Sequence, residues 1–236
     1  MSSDNTSDNT SDNSEEGRST EDNRSAWVAA SMSWSAINKA RARLKGTIED
    51  APSHIGGIEL QSLSRELLAW WLEAQRGRVM LDPEDVDPRA LVELLPYFRM
   101  LRWEADDQLV FRIFGSALSE TAGIDLTGMN SLAPFDYEGK ADDIARLKLM
   151  HSHPCGLLLH RDLTRPDGSV YTCEFLNLPV SGGGDGRNRI VGTITPCAAV
   201  DERKLDFSLQ KPLAVRRAVF IDIGCGLPED AARLSI

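Results

Sequence analysis

The sequence predicts an α+β domain built on a five-stranded antiparallel sheet with helices on one face, plus flanking N-terminal helices. Three observations in this chain of 236 residues support the prediction. Apolar residues recur at helical spacing near 60–76 and 141–151. Short β-branched and aromatic runs fall in two groups, at 97–114 and 156–195. An Arg-Pro-Asp-Gly sequence at 165–168 is typical of the tight turn that joins antiparallel strands.

The first 25 residues form an acidic, repetitive segment. Ser-Asp-Asn units recur between Ser3 and Ser14, and seven acids against two arginines give this segment half of the net charge of −10. No apolar residue lies between Ser2 and Ser25, so burial cannot offset the entropy of ordering the backbone. We expect residues 1–25 to be a disordered, solvated tail rather than a docking arm.

Residues 26–56 are predicted to form a basic amphipathic helix and a linker. Apolar residues recur at helical spacing from Trp27 to Leu44, and four basic residues without acids cluster between 39 and 45. Gly56-Gly57 then interrupts the pattern. Such a helix can dock on a partner or pack on its own domain. Contact with an anionic membrane surface is the less favoured alternative.

A wide apolar stripe predicts a helix from Leu60 to Arg76, ended by Gly77 in a left-handed cap. The stripe covers more than the roughly 100° that one sheet face buries. Adjacent tryptophans project about 100° apart on a helix. We therefore expect one of Trp70 and Trp71 to anchor in the domain and the other to face a homodimer or a protein partner. If both rings are core residues, this interaction role is wrong.

Two further helices are predicted downstream. Asp87-Pro88 favours a helix start, because aspartate caps free amides and proline is tolerated at the first helical position, and Pro96 ends this helix. The helix at 141–151 places Ile144, Leu147 and His151 on one face. Asp142-Asp143 is interpreted as its solvated first turn, where negative charge is favourable.

Five short motifs, in a fixed order between Leu60 and Pro196, point to a family. They are Trp70-Trp71 with Arg76-Gly77, Leu94-Leu95-Pro96, Phe111 to Leu118, Asp125-Leu126-Thr127-Gly128 and Arg165 to Gly168. In these motifs the segment resembles the PAS-fold family of short single-PAS-domain bacterial proteins.

The resemblance implies a non-enzymatic sensory or adaptor module in signalling. In such a module a small molecule sits between sheet and helices, and the flanking helices dimerise or bind a protein partner. The candidate residues for the ligand pocket are Phe111, Ile113, Ile144, Leu147 and His151.

Two histidines near the end of the 141–151 helix suggest an alternative, a haem-binding PAS sensor. His151 and His153 lie where such domains can supply the iron ligand. A histidine packed beside a core is far commoner than a ligand, so we predict no cofactor. The cysteine motif of flavin photoreceptor domains is absent from the sequence.

An enzyme is the second alternative. Val219 to Gly226 looks like the first motif of S-adenosylmethionine-dependent methyltransferases, but only ten residues follow it, too few for a doubly wound sheet. We interpret this segment as a C-terminal strand or a docking tail. Cys155 beside His151 or His153 would make a nucleophile pair, yet adjacency in sequence does not show convergence in space. We predict no catalytic residues, and the absence of a CxxC pair argues against a metal site.

Composition limits the remaining classes. Hydrophobic residues make up 42% and charged residues 26%, as in soluble globular proteins, and the acidic balance does not favour nucleic-acid binding. No apolar run reaches the roughly 18 residues of a spanning helix, so we expect a cytoplasmic protein. The predicted organisation is a tail at 1–25, a helix and linker at 26–56, a PAS-like domain at 57–200 and a C-terminal extension at 201–236.

Overall fold

The computed structural model describes residues 54–55, 58–122, 124–133, 139–164, 170–197 and 215–236. The predicted tail, the basic helix and the turn at 165–168 lie outside the described residues. Two strands and a helix come first: β1 (His54–Ile55), β2 (Ile58–Glu59) and α1 (Ser62–Ala74). The central elements are β3 (Phe98–Ala105), β4 (Gln108–Phe114), α2 (Ser116–Ala122) and α3 (Lys140–Ser152). The last are β5 (Gly156–Thr164), β6 (Val170–Val180), β7 (Arg189–Pro196), β8 (Val215–Ile221) and α4 (Ala231–Leu234).

Strands β3 to β8 form one antiparallel sheet in the order β4-β3-β7-β6-β5-β8. The α+β class and the antiparallel sheet are confirmed, but the described part of the chain forms six strands in this sheet and not five. The sixth is β8, which pairs with β5 through Leu157 and Phe220. Of the segment from Val219 to Gly226, interpreted as a C-terminal strand or a docking tail, Val219 to Ile221 belong to this strand. Backbone N–H groups of Ala218 and Ile236 each donate to the other residue's carbonyl, which covers part of the edge of β8.

The two faces of the sheet bury separate cores because side chains alternate along each strand. In β5, Leu158 belongs to the core under α1, whereas Leu157 and Leu159 belong to the core under α3 and α4. We call these sides the α1 face and the α3 face. The flanking helix α1 thus covers one face of the sheet, and α3 packs on the opposite one.

Both tryptophans of α1 are buried within the chain, so the expectation that one of them faces a second protein is wrong. Trp70 is 5% exposed and Trp71 is 0% exposed. The wide stripe is covered on two sides, by the sheet and by residues 81–94, whose buried side chains join the same core. The Trp71 indole also donates a hydrogen bond to the Pro179 carbonyl at 3.0 Å.

The segment from Asp87 to Pro96 forms turns and not the predicted regular helix. Asp87 Oδ1 accepts the Arg89 N–H at 3.0 Å, so the predicted cap is present. The following N–H groups, including those of Leu91 and Leu94, bond to carbonyls three residues earlier, the spacing of a 3₁₀ turn. Leu91 and Leu94 are nevertheless buried against α1, as their spacing predicts.

Candidate functional site

The predicted pocket residues divide between the two faces of the sheet. Phe111 lies in the core of the α3 face, and Ile144 and Leu147 pack against it. Ile113 packs instead on the α1 face. The cause is a β-bulge: Met100 pairs with Ile113 and Leu101 with Phe111, which leaves one extra residue between them. Ile113 therefore cannot line a site on the α3 face.

His151 is held by the backbone of a neighbouring strand. Its Nε2 donates to the Arg189 carbonyl at 2.8 Å, and burial lowers the pKa of the imidazole. The His153 Nε2 donates to the Gly226 carbonyl at 3.2 Å. Each histidine can therefore offer only Nδ1 to a metal, and in His151 this atom is buried and has no hydrogen-bond partner among the described residues.

The buried side of α3 is one position away from the predicted face. Asp143, Arg146 and Met150 are its buried residues, whereas Ile144 and Leu147 are only partly covered. Asp143 is 4% exposed, and its two carboxylate oxygens bond to Arg146, at 2.9 Å, and to Arg161 of β5. The interpretation of Asp142-Asp143 as a solvated helix start is correct only for Asp142, because β5 brings a guanidinium against Asp143.

A third buried guanidinium, that of Arg99, lies on the α3 face. Arg99 of β3, Gly192 of β7 and Asn177 of β6 are paired neighbours in one row across the sheet. The Arg99 Nη2 donates to Asn177 Oδ1 at 2.6 Å, and its Cζ lies 5.6 Å from the centroid of the Phe175 ring. We call these four residues, Arg99, Phe175, Asn177 and Gly192, the Arg99 site.

Gly192 makes room for this guanidinium. A Cβ atom at Gly192 would lie 3.3 Å from Arg99 Nη2 and 2.2 Å from the Leu176 carbonyl oxygen. Any side chain there would displace the backbone of β6 or the arginine. Arg99 therefore lies against the middle strands of the sheet on its α3 face.

Burial makes the Arg99 site electrostatically unusual. Loss of hydration, and next the nearby Arg161, lower the pKa of Arg99 to about 10. Both effects disfavour its positive charge. The guanidinium still carries that charge at neutral pH, in surroundings of low polarity.

On the α1 face, the carboxylate of Glu174 connects the sheet to α1. Glu174 of β6 is 0% exposed, and its Oε1 accepts the Gln61 N–H at the start of α1 at 3.1 Å. His160 Nε2 lies 3.4 Å from the other oxygen of Glu174. A hydrogen bond with Cys197, and then that with Glu174, raise the pKa of His160 to about 9. Thr193 and Ser64 share a further hydrogen bond of 3.2 Å between β7 and α1.

The two enzyme hypotheses find no support in this geometry. Burial raises the pKa of the Cys155 thiol to about 12, which leaves almost no thiolate at neutral pH. The glycine motif follows β8, an antiparallel edge strand, and Asp222 Oδ1 accepts the N–H groups of Gly224 and Gly226 at 2.8 and 2.9 Å. A methyltransferase turn instead follows an inner strand of a parallel sheet.

Sequence reasoning missed the Arg99 site and the Asp143 pairings. One signal was present: Arg99 lies between Phe98 and Met100 in the apolar first half of β3. Arg161 likewise follows an apolar run in β5. A charged residue at an inward position of a strand is rare unless it is paired.

Fold and site together define an α+β domain of the PAS type. A family model described as PAS domain matches residues 60–195, more than half of the chain. The protein therefore belongs to the PAS domain family, and the resemblance stated from the sequence is confirmed. No curated protein matches the sequence.

One similar solved structure is that of an RNA-binding light-oxygen-voltage receptor. It is 14% identical, with a TM-score of 0.37 over 80% of this chain and 67% of that chain. A likeness of this degree carries no argument about function. Within the described residues, no helix is long and apolar enough to cross a membrane.

Proposed function

We propose that this protein is a non-enzymatic sensory or adaptor module in signalling. It binds a small molecule between the α3 face of its sheet and α3, and passes the change to a protein partner or a second copy. The observation that supports this best is the buried polar Arg99 site on the α3 face. Polar side chains at the centre of an otherwise apolar interior are typical of a ligand site, where a few of them fix ligand orientation.

A route from this site to α1 exists in the central strands. Residues of β6 and β7 alternate between faces, so Asn177 and Gly192 belong to the Arg99 site, whereas Glu174 and Thr193 bond to α1. A ligand that moves β6 or β7 on one side therefore changes the hydrogen bonds that hold α1 on the other. Ligand binding and the position of α1 are then coupled through β6 and β7.

Native mass spectrometry of the full chain, followed by hydrogen exchange, tests this function. We expect a bound small molecule, or one found by screening, to slow exchange in α3 and to change exchange in α1. The matched control is Glu174→Leu, which removes the acceptor for the Gln61 N–H and should leave the α3 response while abolishing the α1 response. A ligand that changes exchange in neither helix, or the absence of any ligand, would contradict the proposal.

A further inference from the structure

Arg99 is a buried cation without a carboxylate partner among the described residues. It is 7% exposed, and within the described part of the chain its side chain donates one hydrogen bond, to the neutral amide of Asn177. Its Nε atom is buried and has no hydrogen-bond partner there. Arg146 and Arg161, which lie on the same side of the sheet, both pair with Asp143. The interior of the α3 face therefore holds three guanidinium groups and one paired carboxylate within the residues that the structure describes.

Arg99 cannot avoid the cost of a buried positive charge by losing its proton. A buried lysine or carboxylate often becomes neutral, but arginine stays protonated in proteins. A buried charge left without a counter-charge is strongly destabilising, so proteins pair it. A negatively charged group beside the Arg99 guanidinium would therefore stabilise the folded protein.

We propose that the Arg99 site binds the carboxylate group of a small organic acid. This inference rests on the function proposed above and specifies the chemical class of the ligand. The planar guanidinium fork matches a carboxylate in two parallel hydrogen bonds, and its free Nε supplies one of the donors. The Phe175 ring packs against the guanidinium, and the missing side chain at Gly192 leaves room for the guanidinium on the sheet.

The surroundings of the Arg99 site select an acid with an apolar body. Residues of the α3-face core, among them Phe111, Leu157 and Ile190, are buried and apolar. They offer contacts to a hydrocarbon or aromatic group, which inorganic phosphate lacks. An organic carboxylate satisfies both the cation and the apolar surroundings.

The test is the thermal unfolding of the full chain in different sodium salts at equal ionic strength. The probes are acetate, benzoate, octanoate and succinate, with chloride as reference and phosphate as the inorganic oxyanion. We expect at least one carboxylate to raise the melting temperature by roughly 3 °C or more over chloride, since a ligand specific for the folded state stabilises it. Benzoate or octanoate should exceed acetate.

Variants locate the effect. Arg99→Met should abolish the response to carboxylates. Arg99→Lys should weaken carboxylate binding at least tenfold, because the ammonium group keeps the charge but lacks the planar pair of N–H donors. Arg187→Met, which changes an exposed arginine paired with Glu104, is the matched control and should respond like the parent. If Arg99→Met does not fold, the lysine variant alone decides the question.

Three results of the melting experiments would overturn the proposal. The first is a carboxylate response that persists in both Arg99 variants, and the second is a parent protein that melts identically in chloride and in every carboxylate. The third is stabilisation by phosphate alone. The double variant Asp136→Asn with Glu138→Gln, in a segment outside the described residues, tests for a counter-charge supplied by the chain itself. If this double variant destabilises the protein as Arg99→Met does, a carboxylate of the chain pairs with Arg99 and the proposal is wrong. A neutral ligand that alters exchange in α3 and α1 would refute the carboxylate and leave the proposed function intact.

Discussion

The backbone N–H of Gln61 donates to the fully buried carboxylate of Glu174, 113 residues further along the chain, at 3.1 Å. This bond fixes the first turn of α1 to the central strand β6. Glu174 also faces His160, so the start of α1 lies two hydrogen bonds away from a titratable imidazole.

We predict that the stability of the protein falls as the pH rises from about 6.5 to about 9. The raised pKa of His160, about 9, means that the folded protein keeps a proton that the unfolded chain releases in this range. The stabilisation is therefore complete below about pH 6.5 and is lost as the pH passes through 9. Urea unfolding at several pH values measures it. His160→Gln should remove this part of the slope, and an unchanged slope in that variant would show that another group titrates.

Replacing either tryptophan of α1 should destabilise the fold without changing the oligomeric state. Trp71→Ala removes a fully buried ring and its bond to the Pro179 carbonyl, and it should cost about 3–5 kcal/mol. Trp70→Ala should act in the same direction. Urea unfolding and analytical ultracentrifugation measure the two effects. The exposed Val79 provides a control, since Val79→Ala should stay within about 0.5 kcal/mol. A variant that unfolds normally but sediments as a smaller species would restore the interaction role.

Asp143 and its neighbour Asp142 should differ sharply in their contribution to stability. Asp143→Ala leaves the buried Arg146 and Arg161 without their shared carboxylate, and breaking a buried ion pair from one side costs about 3–5 kcal/mol. Asp142→Ala changes an exposed residue and should cost less than about 0.5 kcal/mol. Chemical denaturation of both variants tests the difference. Equal losses would mean that Asp143 is not the centre of the cluster.

The edge strand β8 should be necessary for the stability of the sheet. Phe220 is buried in the α3-face core opposite Leu157, so Phe220→Ala should cost about 3–5 kcal/mol. The exposed Leu227, just beyond the strand, offers a control of similar chemistry. Leu227→Ala is expected to leave the melting curve unchanged. If both variants melt like the parent, β8 is not part of the cooperative fold.

Local periodicity was enough to find most of the elements. The stripe from Leu60 to Arg76 predicted α1, which ends at Ala74 with Gln75 as its C-cap. The left-handed backbone begins at Arg76, with a φ of 50°, and continues at Gly77, with a φ of 77°, so Gly77 is not the capping residue as predicted. Apolar alternation predicted the first five strands of the main sheet to within a few residues. These features depend on neighbours in the chain, and the information for them is therefore local.

The sequence by itself determined the α+β class, the order of the elements and the resemblance to PAS domains. Only the tertiary structure decided that both tryptophans are buried, that Ile113 lies on the α1 face and that Arg99 meets Asn177. Residue alternation assigns a side chain to a face, but the neighbours on that face depend on which strands pair and where bulges shift the register. Arg99 and Asn177 are 78 residues apart, and β7 lies between their strands. Such a contact arises from the sum of all the strand pairings, which no single stretch of sequence encodes.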